Sequence, residues 1–321
     1  MLNYFLVFLI SLLVAVVIAF PVLKWCKKLH LGQTILHYVE SHASKQGTPT
    51  MGGIIFIFSV CISCPFFFSG QVWQGILCLL GFLGFGLLGF LDDFIKVKFQ
   101  KNEGLKPYQK IVGQVGLSLI FALFVYFNIG SDIYFFGVNV DLGIFIIPSV
   151  VLFFVATTNS VNLIDGLDGL CAGVSGAFFI FFGVIMALWG QTNFALISFS
   201  FVGALLDFML FNAHPAKIFM GDTGSLAIGG AIACLCALSK TEIFVCLIGL
   251  MYVLTALSDV IQVLHFKRTR KRIFLMAPLH HHFEKKGVNE NRIVAIYIVI
   301  TIVCGVATLL GVLSQMGAIW S

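Results

Sequence analysis

Apolar residues run along this chain in ten long stretches that are separated by short polar segments. A membrane-spanning helix needs about 20 predominantly apolar residues, and the backbone must be helical there because unpaired amides are costly in hydrocarbon. The pattern predicts an all-α polytopic membrane protein with about ten transmembrane helices, forming one integral membrane domain over residues 1–321. The stretches fall at about 2–23, 52–69, 72–91, 111–129, 142–161, 172–189, 194–212, 223–239, 243–264 and 293–316.

One connecting segment has a different pattern. Apolar and polar residues alternate over 133–140 around a glycine, which is typical of two short paired strands. We therefore expect a small external β-hairpin near 133–141.

Composition excludes an ordinary soluble domain. The chain is 60% hydrophobic and only 10% charged, whereas soluble domains carry about 25% charged residues. Of the 19 basic residues, 18 follow odd-numbered apolar stretches, and Lys240 alone follows an even-numbered one. Because Lys and Arg accumulate in cytoplasmic loops, both termini are expected outside. Topology thus accounts for the net charge of +5, and no nucleic-acid partner is expected.

The first candidate for chemistry lies at the inner end of the third stretch. Asp92 and Asp93 are adjacent, and Lys96 follows Asp92 by four residues, so these two side chains can share a helix face. Two carboxylates at a helix C-terminus repel the macrodipole, which makes a nearby cation favourable. An interfacial salt bridge is the alternative interpretation.

The second candidate follows the fifth stretch. A polar series spaced by three residues, in which neighbouring pairs face the same way on a helix, consists of Asn159, Asn162, Asp165 and Asp168. Carboxylates beside apolar spans are functional candidates, although a capped helix start would explain them as well. Their spacing does not match a calcium-binding loop.

Two glycine-rich turns and a histidine run complete the set. Residues 219–225 open the eighth stretch with Asp222, where glycines and a helix N-terminus would suit a phosphate or metal site. A structural turn explains this segment and the similar 47–53 segment equally well. His280, His281 and His282 are consecutive, so their side chains diverge on a helix, and a basic loop is the simpler interpretation.

Taken together, these clusters all fall on the predicted inner face. Acidic oxygens, lysines and a helix N-terminus are what a magnesium-assisted phosphoryl transfer requires. The inner location suggests a nucleotide substrate, and the surrounding bilayer suggests a lipid phosphate as the other reactant.

The same segments resemble the bacterial phospho-N-acetylmuramoyl-pentapeptide transferase family, within the wider polyprenyl-phosphate N-acetylhexosamine-1-phosphate transferases. The resemblance covers nearly the whole chain, and the segment around the three histidines is the part most specific to this branch. The matching segments are 47–53, 92–96, 162–170, 211–225 and 277–284.

The resemblance implies transfer of phospho-N-acetylmuramoyl-pentapeptide from its UDP carrier to undecaprenyl phosphate, which forms lipid I and releases UMP. It implies a requirement for Mg²⁺ and a location in the bacterial cytoplasmic membrane with the active site on the cytoplasmic face. Asp222 is implied to be the metal ligand, Asp92 the base, Asp93 its assistant and Lys110 a phosphate contact. Implied substrate-binding residues are Thr48, Lys96, Asn162, Asp165, Asp168, Asn212, Phe219, His280, His281 and His282. Among these, Asn212 and Phe219 are implied uridine contacts.

Several alternatives stay open at this point. A sister enzyme that transfers N-acetylglucosamine-1-phosphate to the same lipid would share most of the motifs. A secondary transporter is the rival from another class, and Asp207 and Asp259, which lie where the family is generally apolar, would be its pointers. The resemblance leaves open whether transfer takes one step or two, and a homodimer is only a family expectation.

Overall fold

The computed structural model describes residues 1–28, 47–99, 104–135 and 138–320. Lys45 and Lys101, which contributed to the topology prediction, and Gly137 of the predicted hairpin lie outside these ranges. The described helices are α1 (Leu2–Lys28), α2 (Gly53–Ser63), α3 (Val72–Lys98), α4 (Pro107–Asn128), α5 (Ile146–Ile164), α6 (Leu170–Leu188), α7 (Thr192–Asn212), α8 (Gly221–Ser239), α9 (Ile243–Leu247), α10 (Leu250–Thr269), α11 (Leu279–Lys285) and α12 (Glu290–Trp320). The strands are β1 (Asp132–Phe135) and β2 (Val138–Asp141).

Nine helices within the described ranges are long and apolar enough to cross a membrane, which confirms the prediction of an all-α polytopic membrane protein. The second apolar stretch forms a shorter helix, since α2 spans 11 residues and a single 3-10 turn follows at Pro65–Phe67. Pro65 has no amide hydrogen with which to continue α2. The ninth stretch is interrupted at Ile248 and Gly249, between α9 and α10.

Helix α8 lies at the centre of the bundle, with 89% of its most apolar 18 residues buried, against 22% for α1 and for α12. Its small residues permit this position. A β-carbon at Gly229 would lie 2.6 Å from the Thr158 backbone in α5, and one at Gly224 would lie 2.9 Å from Gly53 in α2. Close backbone approach at glycines is the usual way in which membrane helices pack.

The start of α1 and the described end of α12 lie at one end of the bundle, and the acidic motifs lie at the other. Phe20 near the end of α1 contacts Phe211 at the end of α7, so these two helices run in the same direction. Helix α12 begins beside the start of α6, where Ile298 lies against Gly173. The predicted hairpin is confirmed: β1 and β2 pair antiparallel, with Asp132 opposite Asp141. Asp132 also pairs with Lys240, at the end distant from the acidic motifs.

Candidate active site

Three carboxylates from two helices meet where α3 ends and α8 begins. Asp92 and Asp93 come from the last turns of α3 and are almost fully buried, at 3% and 2% exposure, and Asp222 comes from the first turn of α8. One oxygen from each lies within 4.8 Å of the other two. Because Mg²⁺ prefers carboxylate oxygens, the chemistry of this group fits a magnesium ion, with Asp222 and its two neighbours as the residues available to hold it.

Two lysines hold these negative charges together. Lys96 Nζ lies 2.5 Å from Asp92 Oδ2, 2.9 Å from Asp222 Oδ2 and 3.7 Å from Asp93 Oδ1. Lys110 Nζ, from the first turns of α4, donates to the same Asp222 Oδ2 at 3.0 Å. Both predicted basic residues therefore converge on Asp222, and each is only partly exposed.

Asn162, at the end of α5, links this group to the second predicted motif. Its Nδ2 donates to Asp222 Oδ1 at 2.7 Å and to Ser225 Oγ at 2.8 Å, while its Oδ1 accepts from Lys110 at 3.3 Å. Every oxygen of Asp222 is thus engaged by a cation or an amide. The interaction fixes the carboxylate plane between α4, α5 and α8.

Asp93 is bound chiefly to the N-terminus of α8. Its Oδ2 accepts from the Thr223 amide at 2.8 Å and from Thr223 Oγ1 at 2.7 Å, and its Oδ1 accepts from the Asp222 amide at 3.2 Å. A carboxylate satisfies the free amides of a helix start and interacts favourably with its dipole. Asp93 therefore positions Asp222 as well as lining the cluster.

Asp92 is covered by the connection between α3 and α4. The Leu105 amide donates to Asp92 Oδ1 at 2.8 Å, and a β-carbon at Gly104 would lie 2.5 Å from the same oxygen. Only glycine leaves room for this approach. The carboxylate keeps Oδ2 towards Lys96.

Gly89 brings α3 and α8 close enough to form the cluster. A β-carbon there would lie 2.0 Å from the Asp222 carbonyl oxygen and 2.4 Å from its carbonyl carbon, and backbone atoms cannot move aside as side chains do. Gly89→Ala should therefore force α3 and α8 apart and cost about 1–3 kcal/mol of stability. Thermal unfolding in detergent would measure this, with Gly116→Ala as the control, because a β-carbon at Gly116 meets nothing within 4 Å. Equal melting temperatures for the two variants would contradict this packing argument.

The 165–169 connection between α5 and α6 carries the other two predicted aspartates. Removal from water raises the pKa of Asp165 well above its usual range, and the negative charges of Asp222, Asp93 and Asp168 act in the same direction. Asp168 is buried and bonds to His214.

The Asn212 side chain is hydrogen-bonded to the protein backbone. Its Oδ1 accepts from the Gly169 amide at 3.1 Å and its Nδ2 donates to the Ile218 carbonyl at 3.0 Å, and the side chain is 3% exposed. Asn212 therefore ties the α5–α6 connection to the α7–α8 connection. A direct contact to uridine, as the resemblance implied, would require one of these bonds to open.

Phe219 and Thr48 lie on two segments that pair with each other. The Phe219 amide donates to the Pro49 carbonyl at 2.8 Å, and the Gly52 amide donates to the Phe219 carbonyl at 2.8 Å. Both predicted side chains are half-buried. The 47–53 segment is therefore joined to the residues that precede α8, beside the carboxylate cluster.

The three histidines do not act as one group. A β-carbon at Gly166 would lie 2.3 Å from His280 Nε2 and 3.1 Å from His281 Nε2, so these two rings pack on the 165–169 connection. The Nδ1 of His282 instead accepts from the Leu275 amide at 3.1 Å. Their divergence follows from successive positions on α11, as the sequence indicated.

Two carboxylates outside these motifs remain without an assigned role. Asp207 lies inside α7 at 2% exposure, and neither of its oxygens has a hydrogen-bond partner among the described residues. Asp259 is half-buried in α10. Neither belongs to the carboxylate cluster.

Sequence reasoning missed two residues that the structure places beside Asp168. His214 follows Asn212 closely and Glu290 begins α12, and both contact the 165–169 connection. The sequence carried only a weak signal for Glu290, namely a carboxylate at a helix start. His214 lies inside the 211–225 segment, in which Asp222 was the candidate for chemistry.

Two family models match parts of this chain that contain several of the candidate residues. Residues 75–240 match the family described as Glycosyl transferase family 4, and residues 45–57 match phospho-N-acetylmuramoyl-pentapeptide-transferase signature 1. The first match contains Asp92, Asp93, Lys110, Asn162 and Asp222. The second contains Thr48.

Several curated relatives of this chain are named phospho-N-acetylmuramoyl-pentapeptide-transferase. The protein of Thermoanaerobacter sp. strain X514 is 46% identical over 284 residues, which cover 88% of this chain and 90% of the relative. That of Clostridium botulinum strain Eklund 17B is 44% identical over 86% of each chain. That of Caldanaerobacter subterraneus subsp. tengcongensis is 43% identical over 92% of this chain and 94% of the relative.

Proposed function

Since this chain belongs to the phospho-N-acetylmuramoyl-pentapeptide-transferase family and is a multi-pass membrane phosphotransferase, we propose the reaction it performs. It transfers phospho-N-acetylmuramoyl-pentapeptide from UDP-N-acetylmuramoyl-pentapeptide to undecaprenyl phosphate, giving lipid I and UMP. The observation that carries this proposal is the meeting of Asp92, Asp93 and Asp222 with Lys96 and Lys110 at one end of the bundle.

Asp222 would hold the Mg²⁺ ion, and Asp93, which binds the start of α8, would position Asp222. When bound, Mg²⁺ neutralises charge on the pyrophosphate and polarises its phosphorus–oxygen bonds. Asp92 accepts the remaining proton of the lipid phosphate. An oxygen of that phosphate then forms a bond to the phosphorus attached to the sugar, while the bond from this phosphorus to UMP breaks and UMP leaves with the electron pair.

The lysines supply charge for the phosphates. Lys110 and Lys96 now face Asp222, and a phosphate that approaches the cluster offers both ammonium groups a further anionic partner. Asn162 keeps Asp222 in place through its Nδ2 bond. Asp165 lies on the 165–169 connection, against which His280 packs, and we assign this region to the nucleotide or peptide, as the resemblance implies.

The proposed site faces the cytoplasm in the bacterial inner membrane. Of the 19 basic residues, 18 follow odd-numbered apolar stretches, as the carboxylate motif of Asp92 and Asp93 does, and such residues accumulate on the cytoplasmic side. The nucleotide would enter there from water, whereas undecaprenyl phosphate would arrive through the bilayer.

The proposed function is tested with purified chain, Mg²⁺, undecaprenyl phosphate and the muramyl-pentapeptide nucleotide. We expect UMP release that EDTA stops and that added Mg²⁺ restores. UDP-N-acetylglucosamine in place of the muramyl nucleotide should give no release, and activity with it alone would favour the sister enzyme. A stoichiometric burst of UMP without lipid acceptor would replace the direct displacement by a two-step route. No Mg²⁺-dependent release with either nucleotide would refute the proposed reaction.

A further inference from the structure

A second polar network lies beside the carboxylate cluster and joins three separate segments. His214 Nδ1 lies 3.1 Å from Asp168 Oδ2 and 3.3 Å from Glu290 Oε2, and the Asp168 amide donates to Glu290 Oε1 at 2.7 Å. Asp168 comes from the α5–α6 connection, His214 from the segment after α7, and Glu290 from the first turn of α12. The Asp168 and Glu290 side chains are 3% and 12% exposed, whereas the His214 side chain is 38% exposed, so the two carboxylates are buried beneath a histidine that reaches the surface.

The network fixes the backbone of residues 165–169. Two consecutive amides of this connection donate to side chains from elsewhere, that of Asp168 to Glu290 and that of Gly169 to Asn212. Asp168 Oδ2 in turn accepts from the Ala216 amide at 3.0 Å, in the α7–α8 connection. The two connections are thereby bonded to each other, and Glu290 anchors the pair to α12.

Both connections carry residues that the family resemblance assigns to substrate binding. Residues 165–169 lie against His280 and His281, and residues 213–220 lead through Phe219 to Asp222. The oxygens of Glu290 and Asp168 already accept backbone amides, which favours a positioning role over that of ligands. A binding site holds its geometry only when supporting residues fix its connecting segments.

We propose that Glu290 and His214 are positioning residues for the UDP portion of the substrate, acting by holding residues 165–169 against residues 213–220. This inference rests on the proposed function, because it assigns the substrate that these two connections bind. Glu290 contributes most, since one carboxylate serves both the Asp168 amide and the His214 ring.

The test separates nucleotide binding from turnover and from lipid binding. Glu290→Leu removes both bonds, and we expect the KM for UDP-N-acetylmuramoyl-pentapeptide to rise by about tenfold to a hundredfold. The kcat should change far less, because it is measured when the nucleotide site is already filled. The KM for undecaprenyl phosphate should also change far less, because the lipid phosphate does not bind to these two connections. Glu290→Gln keeps an oxygen for the Asp168 amide and should recover part of the loss.

The matched control is Asn291→Ala, which changes the next, exposed residue of α12 and should leave every constant unchanged. Calorimetric binding of UMP, which needs no turnover, should weaken in Glu290→Leu by the same factor as the KM rises. An unchanged KM and unchanged UMP binding would overturn the inference, and so would an equal rise in the KM of both substrates. If Glu290→Leu does not fold, Glu290→Gln and His214→Ala carry the same comparison. A wild-type protein that binds UMP but transfers nothing would instead refute the proposed function.

Discussion

Replacing Asp222 with asparagine is expected to lower kcat by about a thousandfold or more, because the loss of one metal-ligand charge removes several kcal/mol of transition-state stabilisation. In the wild type, Asp222 Oδ2 accepts from both Lys96 and Lys110, and Oδ1 accepts from Asn162. Asparagine keeps the shape and one oxygen but loses the negative charge on which both lysines converge. UMP release under saturating substrates would measure the loss.

Folding of this variant must be shown separately. Thermal unfolding in detergent should remain cooperative, since the helix start of α8 is still bound by Asp93. Asp207→Asn is the matched control: it removes a buried carboxylate from α7, away from the cluster, and should leave kcat unchanged. An Asp222→Asn protein that retains more than about a tenth of wild-type activity would remove the metal-ligand assignment.

The helices were predictable from the sequence because hydrocarbon imposes one rule on the whole chain. Each of the ten apolar stretches gave a helix, and period-two alternation correctly predicted the hairpin of β1 and β2. The early end of α2 was harder to predict, because the residues that follow Pro65 are still apolar and hydropathy alone extends the helix through them. The interruption between α9 and α10 lies within apolar sequence, where hydropathy alone carries no signal.

The members of the site were easier to predict than their arrangement. Asp93 and Thr223 are bonded although 130 positions apart, and nothing local in either motif indicates the partner. The close contact depends on Gly89, which in sequence is one of several glycines along α3. Such contacts depend on how the helices pack against each other, and the periodicity of apolar residues along either helix does not predict that packing.

Asn212 and Glu290 show two different ways in which a sequence motif can mislead about the residues of a site. Asn212 lies in a matching segment, yet its amide group is used to join two connections of the protein. Glu290 lies outside every motif that the sequence suggested, yet it contacts the motif containing Asp168. A motif therefore locates the region of a site more reliably than it assigns roles to single residues.

Replacing Lys96 with methionine is expected to move metal affinity and activity in opposite directions. The Lys96 ammonium lies within 3.7 Å of an oxygen from each of Asp92, Asp93 and Asp222. A divalent cation that binds these oxygens must displace the ammonium, because two positive charges at that distance repel strongly. Removing the ammonium should therefore tighten Mn²⁺ binding by about tenfold, and Mn²⁺ is a suitable probe because it prefers the same oxygen ligands as Mg²⁺.

Activity of the same variant should fall, by about a hundredfold in kcat/KM, because the displaced ammonium is then missing as a partner for phosphate. Electron paramagnetic resonance of bound Mn²⁺ and UMP release measure the two effects independently. Lys98→Met is the matched control, since Lys98 is exposed two residues away and contacts the rings of Phe94 and Phe99 instead of the carboxylates. Unchanged or weaker Mn²⁺ binding in Lys96→Met would show that lysine and metal do not compete. Tighter binding with lost activity would mean that Lys96 exchanges carboxylate for phosphate during the reaction.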